Sequence, residues 1–456
     1  MFYRLKQLII LGGDVTALYI GLYLGVTLRY LNWGNNKFIE LITAFTPLFL
    51  IALLIFFISG LYDIGRLRNT LNFFQHIGVA AIIWFSLAVL FFYTNPNTTV
   101  TPKTTLLLTT ICAFILISLW RAFYNYFLST NFLSLPIIFA GLTPAVKEII
   151  TTIHNNPERG FTVEGIITDT PDANIACAQA NSYHEVLIKN NNRLAGLLVV
   201  SPSHAENKIL QSELYQAMFA QVSIVPLAEF YEDFFKRIPP FTFSEAWFVT
   251  HLNEQRKKMY DRFRILLDYA TALIMGAFFI VTFPFIALII RLTSPGPIMF
   301  TQERVGRSKQ IFSIYKYRTM KALAKDGSAE TGGPQFASIH DVRITPFGSF
   351  LRRTRLDELP QFINILKGEM GIIGPRPERP EFVDELTRTM PYYALRHLIK
   401  PGMTGWAQLQ QSYYGTIEEN LVKLEYDLYY IKNRNLILDI AILLRTVNIV
   451  LRFMGR

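Results

Sequence analysis

The chain has 456 residues, of which 51% are hydrophobic and only 17% charged, with a mean hydropathy of +0.28. That is too apolar for an ordinary soluble enzyme, and at roughly 100–200 residues per domain it leaves room for two or three structural units. The formal net charge of +10 lies in short runs beside apolar stretches, which suits an anionic membrane surface better than nucleic acid, and Cys112 and Cys177 lie too far apart to suggest a disulfide framework or a cysteine metal site.

Four apolar stretches fill the first third, at about residues 8–28, 41–61, 77–93 and 106–127. Each is near the roughly 20 residues that cross a bilayer, the third a little short. No small-residue cleavage pattern follows the first, which therefore reads as a retained transmembrane helix. Arg4 and Lys6 precede the first stretch, Arg66 and Arg68 follow the second, and Arg121 closes the fourth. The other loops carry mainly Lys37 with Glu40, and Lys103, so the positive-inside rule puts both ends of the group in the cytoplasm. Asp14 and Arg121 lie near segment ends, where they face water or each other.

From residue 135 to about 240 the pattern becomes α/β. Short apolar runs at 135–140, 163–168, 194–200 and 222–225 alternate with helical stretches at 144–154 and 204–220, which predicts parallel strands with crossover helices. The first strand leads into Ala140-Gly141-Leu142-Thr143-Pro144-Ala145, where a dinucleotide site would carry G-x-G-x-x-G. One of its three glycines is present, which favours a structural or regulatory role and argues against a sugar-nucleotide dehydratase or epimerase.

The third region opens with Arg256, Lys257 and Lys258, then Arg262 and Arg264, before an apolar run at 265–290 that contains Pro284 and ends at Arg291. Arg304, Arg307, Lys309, Lys316 and Arg318 follow, so both flanks favour the cytoplasm. Proline in a helix interior removes a hydrogen bond and bends the helix. Together these predict a re-entrant helix over about 264–292, bent near Phe283-Pro284, rather than a straight fifth span. Residues 294–456 are rich in arginine, glycine and proline. The apolar stretch 436–451 carries Asp439 and Arg445 and predicts a helix lying on the membrane or packed on the core.

The densest chemistry lies in Leu351-Arg352-Arg353-Thr354-Arg355-Leu356-Asp357-Glu358-Leu359-Pro360-Gln361, with Gly374-Pro375-Arg376-Pro377-Glu378-Arg379 soon after. An adjacent Asp-Glu pair among arginines is ordinarily a salt-bridged helix start. Phosphoryl transfer, however, needs this same set: guanidinium forks for phosphate oxygens, a carboxylate that holds magnesium or attacks, and turns that fix the backbone. The Gly/Pro-rich segments 294–297, 371–377 and 400–402 supply such turns.

These residues stand in three long stretches, LTSPGPIMFTQERVGRSKQIFSIYKYRTM, RRTRLDELPQFINILKGEMGIIGPRPERPEF and HLIKPGMTGWAQLQ. In that order they resemble the bacterial sugar transferase family, the monotopic polyprenyl-phosphate phosphoglycosyl transferases that start O-antigen, capsule and exopolysaccharide assembly. The resemblance covers about two hundred residues, and the segments before it look like those of the large, three-part members. It implies a membrane α plus α/β protein: a transmembrane four-helix bundle (1–133), a degenerate Rossmann-like cytoplasmic domain (134–255) and a mainly α catalytic domain with a re-entrant membrane helix (256–456).

The resemblance also implies an enzyme of the bacterial inner membrane, working on the cytoplasmic face of the lipid bilayer. Its donor would be a UDP-sugar, its acceptor undecaprenyl phosphate, and its cofactor Mg2+. Asp357 matches the nucleophile of a ping-pong reaction, and Glu358 matches the second carboxylate, both expected to hold the metal. Lys316, Arg318, Arg352 and Arg376 match basic positions near phosphate or uridine, with Arg396 and Lys400 as further candidates. The family bends its membrane helix at a Ser-Pro pair, whereas this chain has Phe283-Pro284. His340 and His397 lack metal-ligand spacing, and Tyr413, Tyr414 and the aromatics of 426–430 read first as packing. A homodimer through the N-terminal parts is an expected assembly. The competing classes are a non-catalytic scaffold, which loss of Asp357, Glu358 or Arg376 would favour though all three are present, and a transporter, which would need paired broken helices or buried charges in the N-terminal bundle.

Overall fold

The structure is a computed structural model describing residues 2–31, 36–63, 69–94, 103–129, 134–169, 171–172, 175, 177–189, 196–202, 222–240, 245–252, 257–321, 341, 343–411 and 416–451. The chain forms two compact units, Met1–Phe230 and Tyr231–Arg456.

In the first unit, four apolar helices come in succession: α1 (Phe2–Tyr30), α2 (Asn36–Ile58), α3 (Leu71–Thr94) and α4 (Lys103–Ser129). All four are long and apolar enough to cross a membrane. The third, which sequence gave as short, gains a turn before Ile77 in which Phe73 is buried. One hydrophobic core is shared by all four, built around Leu22, Phe45, Phe56, Trp84 and Ile117. α1 meets α4 closely through glycine: a Cβ on Gly21 would lie 2.5 Å from the Ala113 backbone, and one on Gly25 would lie 2.7 Å from the Thr109 nitrogen. Small residues four apart permit such backbone approach between helices that lipid alone would not press together.

Asp14 and Arg121 do face each other. Arg121 Nε donates to Asp14 Oδ1 at 3.0 Å, its Nη2 donates to Oδ2, and Tyr62 adds a bond to Oδ2 at 2.9 Å. Both charged side chains are buried, so the pair ties α1 to α4 without leaving a charge unpaired.

The same unit holds a five-stranded parallel sheet in the order β3-β2-β1-β4-β5. Its strands are β1 (Leu135–Ala140), β2 (Phe161–Ile167), β3 (Ala178–Ala180), β4 (Leu197–Val200) and β5 (Ser223–Pro226), with α5 (Pro144–Asn155) and α6 (Tyr183–Lys189) among the crossovers. α5 starts where sequence places it, because Thr143 accepts a hydrogen bond from the Val146 amide and Pro144 takes the first helical position. The predicted helix at 204–220 lies outside the described residues.

The second unit is organised around α7 (Lys258–Thr293), one continuous helix with Pro284 inside it. It is the fifth helix long and apolar enough to cross a membrane. Ile274, Ile280, Val281 and Phe285 project outward, while Ala272 and Ile290 are buried. Near its start, two charged side chains turn inward. Asp268 accepts from the Ile372 amide at 2.9 Å, and Arg264 donates to the Ile373 carbonyl, so together they grip the backbone of β8 (Gly371–Ile373). Gly371 makes room for that grip, since a Cβ there would lie 2.8 Å from Asp268.

This unit is less purely helical than expected. An antiparallel hairpin pairs β6 (Met299–Val305) with β7 (Ile311–Tyr317), and β8 pairs in parallel with β9 (Gly402–Thr404). Two glycines let β8 and β9 continue into touching loops. A Cβ on Gly402 would lie 2.0 Å from the Gly374 nitrogen, and one on Gly405 would lie 2.2 Å from the Gly374 oxygen.

Further helices of the unit include α8 (Pro346–Arg353), α9 (Pro380–Thr389), α10 (Ile417–Asn433) and α11 (Leu436–Leu451). α11 packs one side on the core, where Asp439 accepts from Tyr260 and Tyr430 hydroxyls at 2.5 and 2.8 Å, and leaves Ile437 outside.

Candidate active site

α8 is capped by Thr345, whose hydroxyl accepts from the Gly348 amide at 2.9 Å, and two residues past its end Arg355 adopts a left-handed φ of 55°. That turn starts the 3-10 helix Leu356–Gln361. With three residues per turn, the neighbours Asp357 and Glu358 diverge by about 120°, whereas Arg355, Glu358 and Gln361 stack along one face.

Glu358 is buried and holds three cations. Lys316 of β7 donates to its Oε1 at 3.0 Å, Arg376 of the loop after β8 donates to the same oxygen at 3.0 Å, and Arg355 reaches Oε2 at 3.5 Å. Burial alone would raise its pKa, but Lys316, Arg376 and Arg355 outweigh burial and hold it far below the carboxylate range. Arg376 is raised in turn, chiefly by Glu358, and burial lowers Lys316 against the pull of Glu358.

Asp357 is equally buried, yet among the described residues no group hydrogen-bonds its carboxylate. Burial first, and Glu358 second, push its pKa up to about 6, against the opposing pull of Lys316, Arg352 and Arg376. The two carboxylates therefore differ in kind: one is a neutralised anchor, the other an anion held without a partner.

A small cavity opens beside Glu358, walled by Arg304, Lys316, Gln361, Arg376 and Met403. Three cations against one carboxylate make it a place for an anion. Of the predicted basic residues, Lys316 and Arg376 meet here. Arg352 bonds the Thr319 hydroxyl at 2.9 Å and acts on Asp357 by charge.

The others are placed differently. Arg318 spends its guanidinium on the Ser294 and Pro295 carbonyls, at 2.6 and 2.8 Å, and so holds the turn after α7. Arg396 is buried and bonds Asp427 at 2.8 Å, Tyr393 at 2.6 Å and the Arg376 carbonyl at 2.9 Å, supporting the loop from behind. Lys400 is half-buried beside Gly368 and is not among the residues walling the cavity. His397 is buried, and its pKa is lowered to about 4 by burial and by Arg396. His340, Tyr413 and Tyr414 lie outside the described residues.

Sequence reasoning passed over Arg304 and Gln361. Arg304 donates to the Pro377 carbonyl at 3.1 Å and lies 3.7 Å from Glu378, so it braces the Arg376 loop while facing the cavity. The alternation of Gln302 and Arg304 in β6 carried that signal. Gln361 was legible from its place three residues after Glu358.

A family model described as bacterial sugar transferase covers residues 259–453. The exopolysaccharide production protein PSS of Rhizobium leguminosarum bv. phaseoli is 36% identical over 193 residues, spanning 41% of this chain and 91% of that protein. The chain belongs to the bacterial sugar transferase family.

Other sugar transferases extend the comparison. The UDP-N-acetylgalactosamine-undecaprenyl-phosphate N-acetylgalactosaminephosphotransferase of Aeromonas hydrophila is 46% identical over 169 residues, which span 37% of this chain and 39% of that protein. The UDP-glucose:undecaprenyl-phosphate glucose-1-phosphate transferase of Klebsiella pneumoniae is 26% identical over 471 residues, covering 95% of this chain and 93% of its own length.

Proposed function

We propose that this chain transfers a hexose 1-phosphate from a UDP-sugar to undecaprenyl phosphate at the cytoplasmic face of the bacterial inner membrane, starting a surface polysaccharide. The observation that carries the reading is the buried carboxylate of Asp357, which no described residue hydrogen-bonds, adjoining Glu358 on the wall of a cavity that also presents Lys316, Arg376 and Arg304. An Asp357 oxygen attacks the sugar-linked phosphorus, and the bond from that phosphorus to the bridging oxygen breaks. UMP leaves with the electron pair. A phosphate oxygen of undecaprenyl phosphate then attacks the same phosphorus and releases the Asp357 carboxylate, giving undecaprenyl diphosphate sugar. Neither step requires a proton.

A buried carboxylate without a hydrogen-bond partner is already raised in energy, and it loses that penalty as its oxygen bonds to phosphorus. The cavity cations face the charge that builds on the phosphate oxygens. Glu358 keeps Lys316 and Arg376 in register for that task. The donor set also fits magnesium: among the described residues Asp357 has no hydrogen-bond partner, and Oε2 of Glu358 carries only the long contact to Arg355. Magnesium is commonly held by one or two carboxylates with substrate phosphates completing its shell. When bound there, the ion would offset phosphate charge.

In this reading α1–α4 form a transmembrane bundle, and α7 enters the bilayer, bends at Pro284 and returns. The outward apolar residues of α7 and the basic residues at its flanks, Arg262 and Arg291, support that placement. The bundle and the five-stranded unit are the proposed homodimer surfaces, checked by cross-linking in native membranes.

The test is UMP release from a panel of UDP-sugars with undecaprenyl phosphate and magnesium. One donor should give UMP with the native protein and none with Asp357→Asn. Equal release from both proteins would refute the assigned nucleophile.

A further inference from the structure

Gln361 closes the 3-10 helix that carries Asp357 and Glu358. Its side chain is 2% exposed, it walls the cavity together with Arg304, Lys316 and Arg376, and its buried Nε2 has no hydrogen-bond partner. Among the described residues, none hydrogen-bonds either end of the carboxamide. A buried amide without partners works against folding, and such groups are ordinarily satisfied by protein, water or a ligand.

The surroundings say which ligand. Spacing of three on a 3-10 helix places Gln361 on the same face as Glu358, at the positively charged wall. An N–H there calls for an acceptor, and a cavity with three cations calls for an anion. A neutral donor adds a hydrogen bond without a fourth cation, so it leaves the charge balance around Glu358 unchanged.

We infer that Gln361 is a substrate-binding residue whose Nε2–H donates to an oxygen of the donor's diphosphate. The inference deepens the transferase reading and rests on it. A hydrogen bond to a charged group of this kind accounts for roughly 10- to 100-fold in affinity.

The experiment uses the full chain in lipid nanodiscs, native and with Gln361→Met or Gln361→Glu. Methionine keeps the length and removes both polar atoms, while glutamate keeps the shape and replaces the donor by an anion. UDP affinity is measured by titration calorimetry, UMP release by steady-state kinetics, and unfolding temperature without ligand. For Gln361→Met the expected result combines opposite changes: an unfolding temperature equal to or above native, and UDP binding roughly 10- to 100-fold weaker. Gln361→Glu should weaken UDP binding further.

Unchanged UDP affinity in both variants overturns the assignment. So does a lowered unfolding temperature in Gln361→Met with native UDP affinity, which marks a bond made inside the fold or to a trapped water. Absence of UDP binding by the native protein overturns it as well. Absence of UMP release from native protein that binds UDP, with that binding weakened by Gln361→Met, refutes the transfer reaction and leaves the diphosphate contact standing.

Discussion

Asp357→Asn should stabilise the protein, and should do so more at pH 8 than at pH 4.5. The folded carboxyl titrates at about 6, against an ordinary 3.8, because burial and then Glu358 disfavour its charge. Each power of ten in proton affinity is worth about 1.4 kcal/mol, so carrying the ionised Asp357 costs the folded state about 3 kcal/mol once the pH is well above 6. Between about pH 4 and 6 the folded chain holds the extra proton. Stability therefore falls as pH rises through that window and is level above it. Asparagine does not titrate and escapes the cost.

Two neighbours keep the comparison clean. Glu358, held below the carboxylate range when folded, adds a slope of opposite sign only below about pH 5.5, and both proteins share it, so it cancels in the difference. His397 gives a slope of opposite sign, but both proteins share it, so it cancels in the difference. The advantage of the variant should grow from about 1 kcal/mol at pH 4.5 to about 3 kcal/mol at pH 8. For a unit of some 200 residues the added gap is roughly 4–8 °C. The assay is thermal unfolding of both full-length proteins in nanodiscs with EDTA, at steps between these pH values. A gap that stays constant with pH, or that favours the native protein increasingly toward pH 8, would refute the reasoning.

Two further outcomes follow from the same unit. Gly402→Ala would place a Cβ 2.0 Å from the Gly374 nitrogen, where backbone meets backbone and nothing can rotate away. It should lower the unfolding temperature by more than 5 °C, on the order of a 2 kcal/mol loss, and abolish UMP release. His397, whose pKa is lowered to about 4 by burial and then by Arg396, is neutral when folded at a pH where the unfolded chain takes up a proton. His397 should cost the native protein up to about 3 kcal/mol as pH falls from 6.5 to 4, opposing the gain at Asp357, so the gap between native and His397→Phe in urea unfolding should move toward the variant by about that amount. Parallel limbs in the two proteins would count against it.

The apolar lengths of α1, α2 and α4 were legible because a bilayer demands near-uniform hydrophobicity over about 20 residues. So was the parallel sheet, since β1, β2, β4 and β5 are apolar runs separated by crossovers. β3 was not, because Ala178-Gln179-Ala180 is three residues long and its pattern comes from pairing with β2. β8 and β9 were hidden for another reason. Gly371 and Gly402 read as turn residues, while their actual task is to let backbones and the Asp268 carboxylate approach.

At the site, Asp357-Glu358 stands out as adjacent carboxylates among arginines. Spacing does not say which oxygen each arginine finds. Arg318 and Arg396 look like Arg376 in sequence, yet the first closes a turn and the second props up the Arg376 carbonyl.

The grip of Arg264 and Asp268 on β8 bears on any attempt to make this catalytic unit water-soluble. Deleting the apolar helix would remove the two side chains that occupy the Ile372 amide and the Ile373 carbonyl, and would release the strand leading to Arg376. The strand would then offer a bare edge to other chains and invite aggregation. Solubility has to come from repainting the outward face of the helix at Ile274, Ile280, Val281 and Phe285 with polar residues, while its base stays as it is. The helix is therefore part of the catalytic scaffold as much as an anchor, and bilayer changes that tilt it would act directly on the loop bearing Arg376.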